Sequence, residues 1–299
     1  MRGVGRFAEA VVMIWLAVTL AFVALQLLPG DSVLESLSAS GVSREVIEAR
    51  RQALGLDRPP LEQYGRYLAG LISANMGVSL QDGRPVAEII AGQAPATVTL
   101  ALAASAFTLT IGLPLGLLAA GRKRGALVGR LLLGLLISVP VLWTGTLLLA
   151  LGDAQSSDQN DLAGLLLPAI VLGMSGAGAL GIVSEGVIND TLPMPFVTTA
   201  RAKGLRERRI IVQHVLRASA GPILVAFVLQ AGFLLGGVVL TEAVFNRPGL
   251  GRLLVNATLR QDTPVVLGVV VWSSVLYAGL LLAADLLARL LDPRRGQHV

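Results

Sequence analysis

The stretch ASAGPILVAFVLQAGFLLGGVVL, Ala218–Leu240, decides the fold class, because it contains no charged residue. A helix that crosses a bilayer needs about 20 mostly apolar residues, and this stretch is long enough. Its amide side chain, Gln230, lies near the middle, at a depth where a polar group needs a partner. The sequence therefore predicts an all-α membrane protein.

Five further stretches have the same apolar character. They are Phe7–Leu28, Ala96–Ala120, Leu131–Leu151, Leu162–Val183 and Pro264–Leu290. The composition agrees, because only 14% of the residues are charged, against about a quarter in soluble domains. We predict six transmembrane helices. The first is too long for a cleavable signal peptide and is not followed by a small-residue cleavage site, so it is expected to remain as an anchor.

The charged residues are distributed unevenly among the loops. Bases dominate both chain ends, residues 121–130 and residues 190–217, whereas residues 153–161 contain three acids and no base. The positive-inside rule places both termini and the two basic loops in the cytoplasm. The net charge of +5 is then explained by topology, and no nucleic-acid partner is expected.

The segment 30–95 is patterned as a small helical cap on the outer side. Ser43 is expected to cap a helix that continues through about Leu54, with Glu45 in its first turn. A second, amphipathic helix is predicted from Leu61, Tyr64, Leu68, Leu71 and Ile72. A turn at Asp82–Pro85 precedes Val86, Ile89 and Ile90 on one helical face. The cap either braces the spans or docks an extracytoplasmic partner.

A second outer segment, 242–263, contains Arg247–Gly251 and then Leu253, Leu254 and Leu259 at helical spacing. A short helix there would lie at the outer surface or dip between the spans, in a position near the pore.

Motifs of catalytic chemistry are absent from the sequence. There is no phosphate-binding P-loop, no G-x-S-x-G nucleophile elbow and no H-E-x-x-H zinc motif. The chain has no cysteine and two histidines, which excludes disulfides and leaves little for a metal cluster. Glycine-rich runs at Gly173–Gly181 and Gly232–Gly237 lie inside apolar spans, where they favour close helix packing over phosphate binding. We expect no enzyme activity.

The basic stretch TTARAKGLRERRI, Thr198–Ile210, is predicted to form two short helices bent at Gly204. Thr199, Ala200 and Ala202 would form a small face that enters a groove on a partner, with Arg201 and Lys203 on its rim. The alternative is an ordinary positive-inside loop.

These residues resemble the cytoplasmic loop of binding-protein-dependent importer permeases, more closely the first permease subunit of the dipeptide, oligopeptide and nickel family. The resemblance extends over nearly the whole chain in matching order and spacing. Its motifs are LLPGD at Leu27–Asp31, LGLDRP at Leu54–Pro59, QY at Gln63–Tyr64, GRPV at Gly83–Val86, PAT at Pro95–Thr97, SVPVLWTG at Ser138–Gly145, QAGFLLGG at Gln230–Gly237, PGLGRLL at Pro248–Leu254 and LDPR at Leu291–Arg294. Glu185, Pro193 and Pro195 depart from the family pattern.

The resemblance implies a permease subunit of an ATP-driven importer, with peptides as the default cargo, in a prokaryotic inner membrane. Its partners would be a second homologous permease, two ATPase subunits, an extracytoplasmic binding protein and membrane lipid. This chain would bind no cofactor, since ATP and Mg²⁺ belong to the ATPases. The ATPase-docking coupling helix would contain Thr198, Thr199, Ala200, Arg201, Ala202, Lys203, Gly204 and Leu205.

The predicted spans divide the chain into a first helix at 1–29, an extracytoplasmic segment at 30–95 and a five-helix core permease domain at 96–299 that includes the coupling loop 190–217. Gln230, Gly236 and Gly237 are assigned to the translocation path, although Gln230 also fits a packing role. The alternatives are a stand-alone secondary transporter or channel, disfavoured because no mid-membrane carboxylate relay is evident, and a membrane-embedded enzyme.

Overall fold

The computed structural model describes residues 2–27, 45, 48–49, 51–52, 55–121, 124–151 and 162–291. These residues form helices and turns, joined in one place by an isolated antiparallel bridge between Val78 and Pro85. The all-helical prediction is confirmed for this part of the chain. The predicted helix that begins at Ser43 lies mostly outside the described residues.

In chain order, the described helices are α1 (Arg2–Leu27), α2 (Pro60–Ile72), α3 (Val86–Ala119), α4 (Arg124–Ser138), α5 (Val141–Leu151), α6 (Leu162–Thr191), α7 (Pro195–Ala202), α8 (Glu207–Ile210), a π-helical segment (Ile211–Val215), α9 (Leu216–Val244), α10 (Leu250–Leu259) and α11 (Thr263–Leu291). The short helices α2 and α10 match two of the helices predicted outside the spans.

Within the described ranges, five helices are long and apolar enough to cross a membrane, and a bent pair raises the number to as many as six. That pair, α4 and α5, replaces the continuous third span predicted at Leu131–Leu151, with an angle of 85° between its halves. The break falls at Val139 and Pro140. Proline has no backbone N–H and disfavours helix at the preceding residue, which accounts for the break.

The chain divides into two compact units. The first contains Met1–Thr97 and Pro248–Ala278. Its core joins Val86 and Ile90 of α3, Leu250 and Ala257 of α10, and Val265, Val266 and Val269 of α11. Helix α2 contacts α1 through the Tyr64 hydroxyl, 2.6 Å from Thr19 Oγ1, and through the Tyr64 and Phe22 rings, with centroids 5.2 Å apart.

Buried polar contacts fix the turns of this first unit. Asp262, 3% exposed, accepts hydrogen bonds from Ser79 Oγ at 2.5 Å and from the backbone N–H of Leu80 at 3.0 Å. Helix α10 begins without a side-chain cap of its own. The Thr97 hydroxyl of α3 supplies one by accepting from the Leu250 N–H at 2.8 Å, which satisfies a donor that helix geometry leaves unpaired.

The second unit contains Val98–Arg247 and Gly279–Val299. Here α3, α4 and α6 pack closely at glycines. A Cβ atom on Gly112 would lie 2.7 Å from the carbonyl oxygen of Ala177, and one on Gly178 would lie 2.8 Å from the backbone nitrogen of Ile137. The predicted packing role of the glycines in 173–181 is confirmed, because these contacts leave no room for a side chain.

Candidate functional site

Helix α7 begins at Pro195 and ends in a glycine turn. Proline suits the first helical position, where an N–H would find no partner in any case. At the other end Gly204 has φ +74°, its N–H donates to the Arg201 carbonyl at 2.9 Å, and the Leu205 N–H donates to the Ala200 carbonyl at 3.3 Å. These two bonds form a Schellman motif, which uses glycine because a Cβ is strained at positive φ.

The turn places α8 directly against α7. Arg201 Nε lies 2.8 Å from Glu207 Oε1 across the bend, with both side chains about half exposed. A short π-helical segment that ends at Val215 then leads into α9. The prediction of two short helices bent at Gly204 is confirmed.

One face of α7 is used inside the protein. Val197, Ala200 and Ile210 are buried in a cluster with Leu180 and Ile188 of α6. The predicted partner-facing set of Thr199, Ala200 and Ala202 is therefore wrong at Ala200, which is 5% exposed. The reason is that this side of α7 packs into the buried cluster with α6, and the Schellman turn brings Leu205 against the same cluster.

The opposite face of α7 is open. Thr199 and Ala202 are exposed, as are Phe196 and Thr198, and the basic side chains Arg201 and Lys203 border them. The loop thus presents an exposed, largely uncharged surface whose edge carries two positively charged side chains. Leu205, the last residue of the predicted docking set, is half-buried in the inner cluster.

The predicted path residues occupy different environments on α9. Gln230 is half-buried and Gly236 is exposed. Open space surrounds Gly236, whereas a Cβ on Gly237 would lie 2.7 Å from the Leu172 side chain of α6. Gly237 is thus a packing position, and the structure leaves Gly236 and Gln230 as candidates for a path.

An ion pair that sequence reasoning missed explains the departure at Glu185. Arg130 Nε on α4 lies 2.6 Å from Glu185 Oε1 on α6, and the Glu185 side chain is 16% exposed. Nearby, the Gly121 N–H donates to Asn189 Oδ1 at 2.7 Å. Residue spacing does not predict such contacts between separate spans. The sequence did show that the acid at position 185 departs from the family pattern.

Two buried charged residues near the end of α9 were also not predicted from the sequence. Glu242 is fully buried and Arg247 is 8% exposed, with Arg247 Nη1 donating to the Gly164 carbonyl at 2.9 Å. Burial lowers the pKa of Arg247, and the charge of Glu242 opposes that shift. The sequence placed both residues in an outer loop, because the helical pattern was expected to end at Leu240. Among the described residues no group of three histidine, aspartate or glutamate side chains is arranged to hold a metal ion.

Comparison with known proteins identifies the family. Residues 112–297 match the binding-protein-dependent transport system inner membrane component, and residues 3–101 match the N-terminal region of such membrane components. The dipeptide transport system permease protein DppB of Escherichia coli (strain K12) is 32% identical, with 92% of each chain covered. A putative peptide transport system permease of Brucella suis biovar 1 (strain 1330) is also 32% identical, over 97% of this chain and 96% of that one.

A solved structure has the same fold. It is the MetNI methionine ABC transporter in an inward-facing conformation, with a TM-score of 0.60 at 17% identity, and the match covers 68% of this chain and 96% of that one. The prediction of an importer permease is confirmed. The chain belongs to the family of binding-protein-dependent transport system inner membrane components.

Proposed function

We propose that this permease imports di- and oligopeptides by coupling to separate ATPase subunits through the loop 190–217. The observation that carries the proposal is the rigid bend at Gly204, which leaves one face of α7 exposed while the other face packs on the transmembrane core. The peptide cargo is supported by relatives that are named dipeptide and peptide permeases and are alike over most of the chain.

The proposed topology has six spans, with α4 and α5 together counted as one bent span. Both termini and the loops 121–130 and 190–217 lie in the cytoplasm, which is supported by their basic residues. The chain would lie in a prokaryotic inner membrane. The divisions 1–29, 30–95 and 96–299 then correspond to an anchor, an outer segment and the core permease domain.

The coupling step follows from how α7 is attached. Its buried residues Val197 and Ala200 belong to the same packed cluster as Leu180 and Ile188 of α6, so a push on α7 would be transmitted to a transmembrane helix through this cluster. The exposed Phe196, Thr199 and Ala202 form the surface that an ATPase groove would hold, with Arg201 and Lys203 on the rim. The ATPase subunits would bind ATP and Mg²⁺, and this chain itself would bind no cofactor.

The remaining partners complete the importer. A second homologous permease would face this one across the path, and an extracytoplasmic binding protein would deliver peptide to the outer segments. Gln230 and Gly236 on α9 are the proposed path residues. Gln230 makes no hydrogen bond to any residue within the described ranges, which leaves its amide available to a peptide group.

The proposal is tested by placing a bulky side chain on the exposed face. Ala202→Trp should prevent co-purification of ATPase subunits and abolish ATP-dependent dipeptide uptake, because the indole cannot enter a groove that holds a methyl group. Ala69→Trp is the control for ATPase co-purification, since Ala69 is an exposed alanine on α2, far from the loop in sequence. Full uptake by Ala202→Trp with its ATPases still bound would contradict the docking surface.

A further inference from the structure

A cavity of about 250 Å³ lies within the first unit, between α1, α2 and the beginning of α11. Its apolar wall includes Phe22 of α1 and Pro264 and Leu267 of α11. Arg66 and Tyr67 of α2 line another side. None of its described lining residues belongs to the coupling loop or to the proposed path on α9.

Tyr67, one of the residues that line the cavity, carries a hydroxyl group that is unpaired within the described part of the chain. Its oxygen is buried, and no described residue gives it a hydrogen bond. Burial also raises the pKa of Tyr67, so the hydroxyl keeps its proton at neutral pH. Buried hydroxyl groups in folded proteins are nearly always paired, which makes this one a donor that requires an acceptor.

Other donors line the same cavity. Asn75 accepts from the Gly77 N–H at 2.9 Å through Oδ1, which leaves its amide NH₂ free to donate. Arg66 lines the cavity and pairs with Glu62, which also pairs with Arg58; Glu62 and Arg58 are not part of the lining, and two guanidinium groups share this single carboxylate. The described lining residues include no aspartate or glutamate. This excess of donors and positive charge favours an anionic ligand.

The position of α2 indicates what else the ligand carries. Leu61, Leu68 and Ile72 lie on one helical face, and Leu61 and Ile72 are 81% and 90% exposed. Tyr64, beside Leu68 on the same stripe, contacts Phe22 and Thr19 of α1, five and eight residues before its end at Leu27. A helix with an exposed apolar face beside the end of a span lies at the membrane interface, where tyrosine is also enriched.

We propose that this cavity binds the phosphodiester group of a membrane phospholipid. The Tyr67 hydroxyl and the Arg66 guanidinium donate to the phosphate oxygens, and Phe22 and Leu267 contact the beginning of an acyl chain. An anion attached to an apolar chain matches both the donor-rich end and the apolar wall, and the interface is where phospholipid headgroups are found.

The test measures the thermal stability of the full chain, purified with its partner subunits and stripped of lipid in detergent. Dihexanoylphosphatidylglycerol is titrated in, with dihexanoylglycerol, inorganic phosphate and a dipeptide as separate arms. The phospholipid alone should raise Tm. Tyr67→Phe and Arg66→Gln should each weaken its apparent affinity by about tenfold, the value of one hydrogen bond to a charged group. Tyr277→Phe, on α11, is the matched control and should bind as the parent does.

Other outcomes overturn the proposal. Equal stabilisation by dihexanoylglycerol shows that the phosphate is not recognised, and equal stabilisation by inorganic phosphate identifies a free-anion site. Competition by the dipeptide identifies a substrate subsite instead. Unchanged lipid affinity in Tyr67→Phe would show that the Tyr67 hydroxyl does not bind the phospholipid. The Tm of Tyr67→Phe without lipid shows whether this variant, which lacks only one oxygen atom, is folded.

Discussion

The bend at Gly204 and the turn at Ser79–Leu80 are fixed in opposite ways. The bend at Gly204 is made by backbone hydrogen bonds between residues at most five apart, and its side chains are largely exposed. The turn at Ser79–Leu80 is held by Asp262, which is 183 positions away from Ser79 and buried with it. A local bend tolerates contact with a moving partner, whereas a buried long-range contact locks two segments together.

The comparison predicts the largest loss of stability at Asp262. Asp262→Ala leaves the Ser79 hydroxyl and the Leu80 N–H buried without an acceptor, which should cost about 3 kcal/mol of unfolding free energy. Thermal unfolding in detergent measures the loss. Asp82→Ala removes an exposed acid from the same segment and should cost much less. Equal Tm values for the two variants would show that the buried contact does not fix the turn.

A smaller loss of stability, with a larger loss of function, is expected at Gly204. Gly204→Val forces a β-branched residue to φ +74°, which should cost about 2 kcal/mol, confined to the loop. We expect ATPase co-purification and uptake to be lost while membrane insertion persists. Gly65→Val is the control, because Gly65 has helical geometry and open space at its Cβ. ATP-coupled uptake at the parental rate by Gly204→Val would argue against a fixed bend.

The third prediction concerns a single long-range hydrogen bond. Thr97→Val keeps the side-chain shape but removes the acceptor for the Leu250 N–H, so α10 should lose about 1 kcal/mol of stability. Hydrogen exchange should show faster exchange at the first turn of α10. Thr110→Val is the control, since the Thr110 hydroxyl bonds only within its own helix at 2.8 Å to the Ala106 carbonyl.

The smallest expected loss of stability tests whether burial, or distance along the chain, determines the strength of a contact. Arg130 and Glu185 are 55 positions apart, yet the Arg130 side chain is 51% exposed. Surface ion pairs contribute about 0–1 kcal/mol, so Arg130→Gln should lower stability only slightly. High salt should reduce the difference between the parent and the variant. A loss as large as that of Asp262→Ala would show that distance along the chain, and not burial, determines the strength of these contacts.

The sequence predicted the features that depend on neighbouring residues. Helical periodicity located α2 and α10, and Gly204 located the bend, because spacing and positive φ are local properties. The broken third span was also local in origin, at Pro140, but the apolar run through it hid the break. Composition alone could not indicate it.

Long-range contacts could not be predicted from the sequence. Nothing near Asp262 indicates that it accepts from Ser79, and the burial of Ala200 depends on α6. The docking face was therefore only partly predicted, with Thr199 and Ala202 exposed and Ala200 turned inward. A residue's face on a short helix is decided by its packing partners, which spacing within one loop does not reveal.

The central claim is that the exposed face of α7 contacts an ATPase subunit. The chain has no cysteine, so Ala202→Cys introduces a single thiol into an otherwise thiol-free permease. A thiol-to-amine cross-linker applied to native membranes, followed by mass spectrometry, identifies the subunit that it reaches. The account predicts an ATPase adduct with Ala202→Cys and none with Ala69→Cys. Absence of that adduct in transport-competent membranes, or an equal adduct from Ala69→Cys, would contradict it.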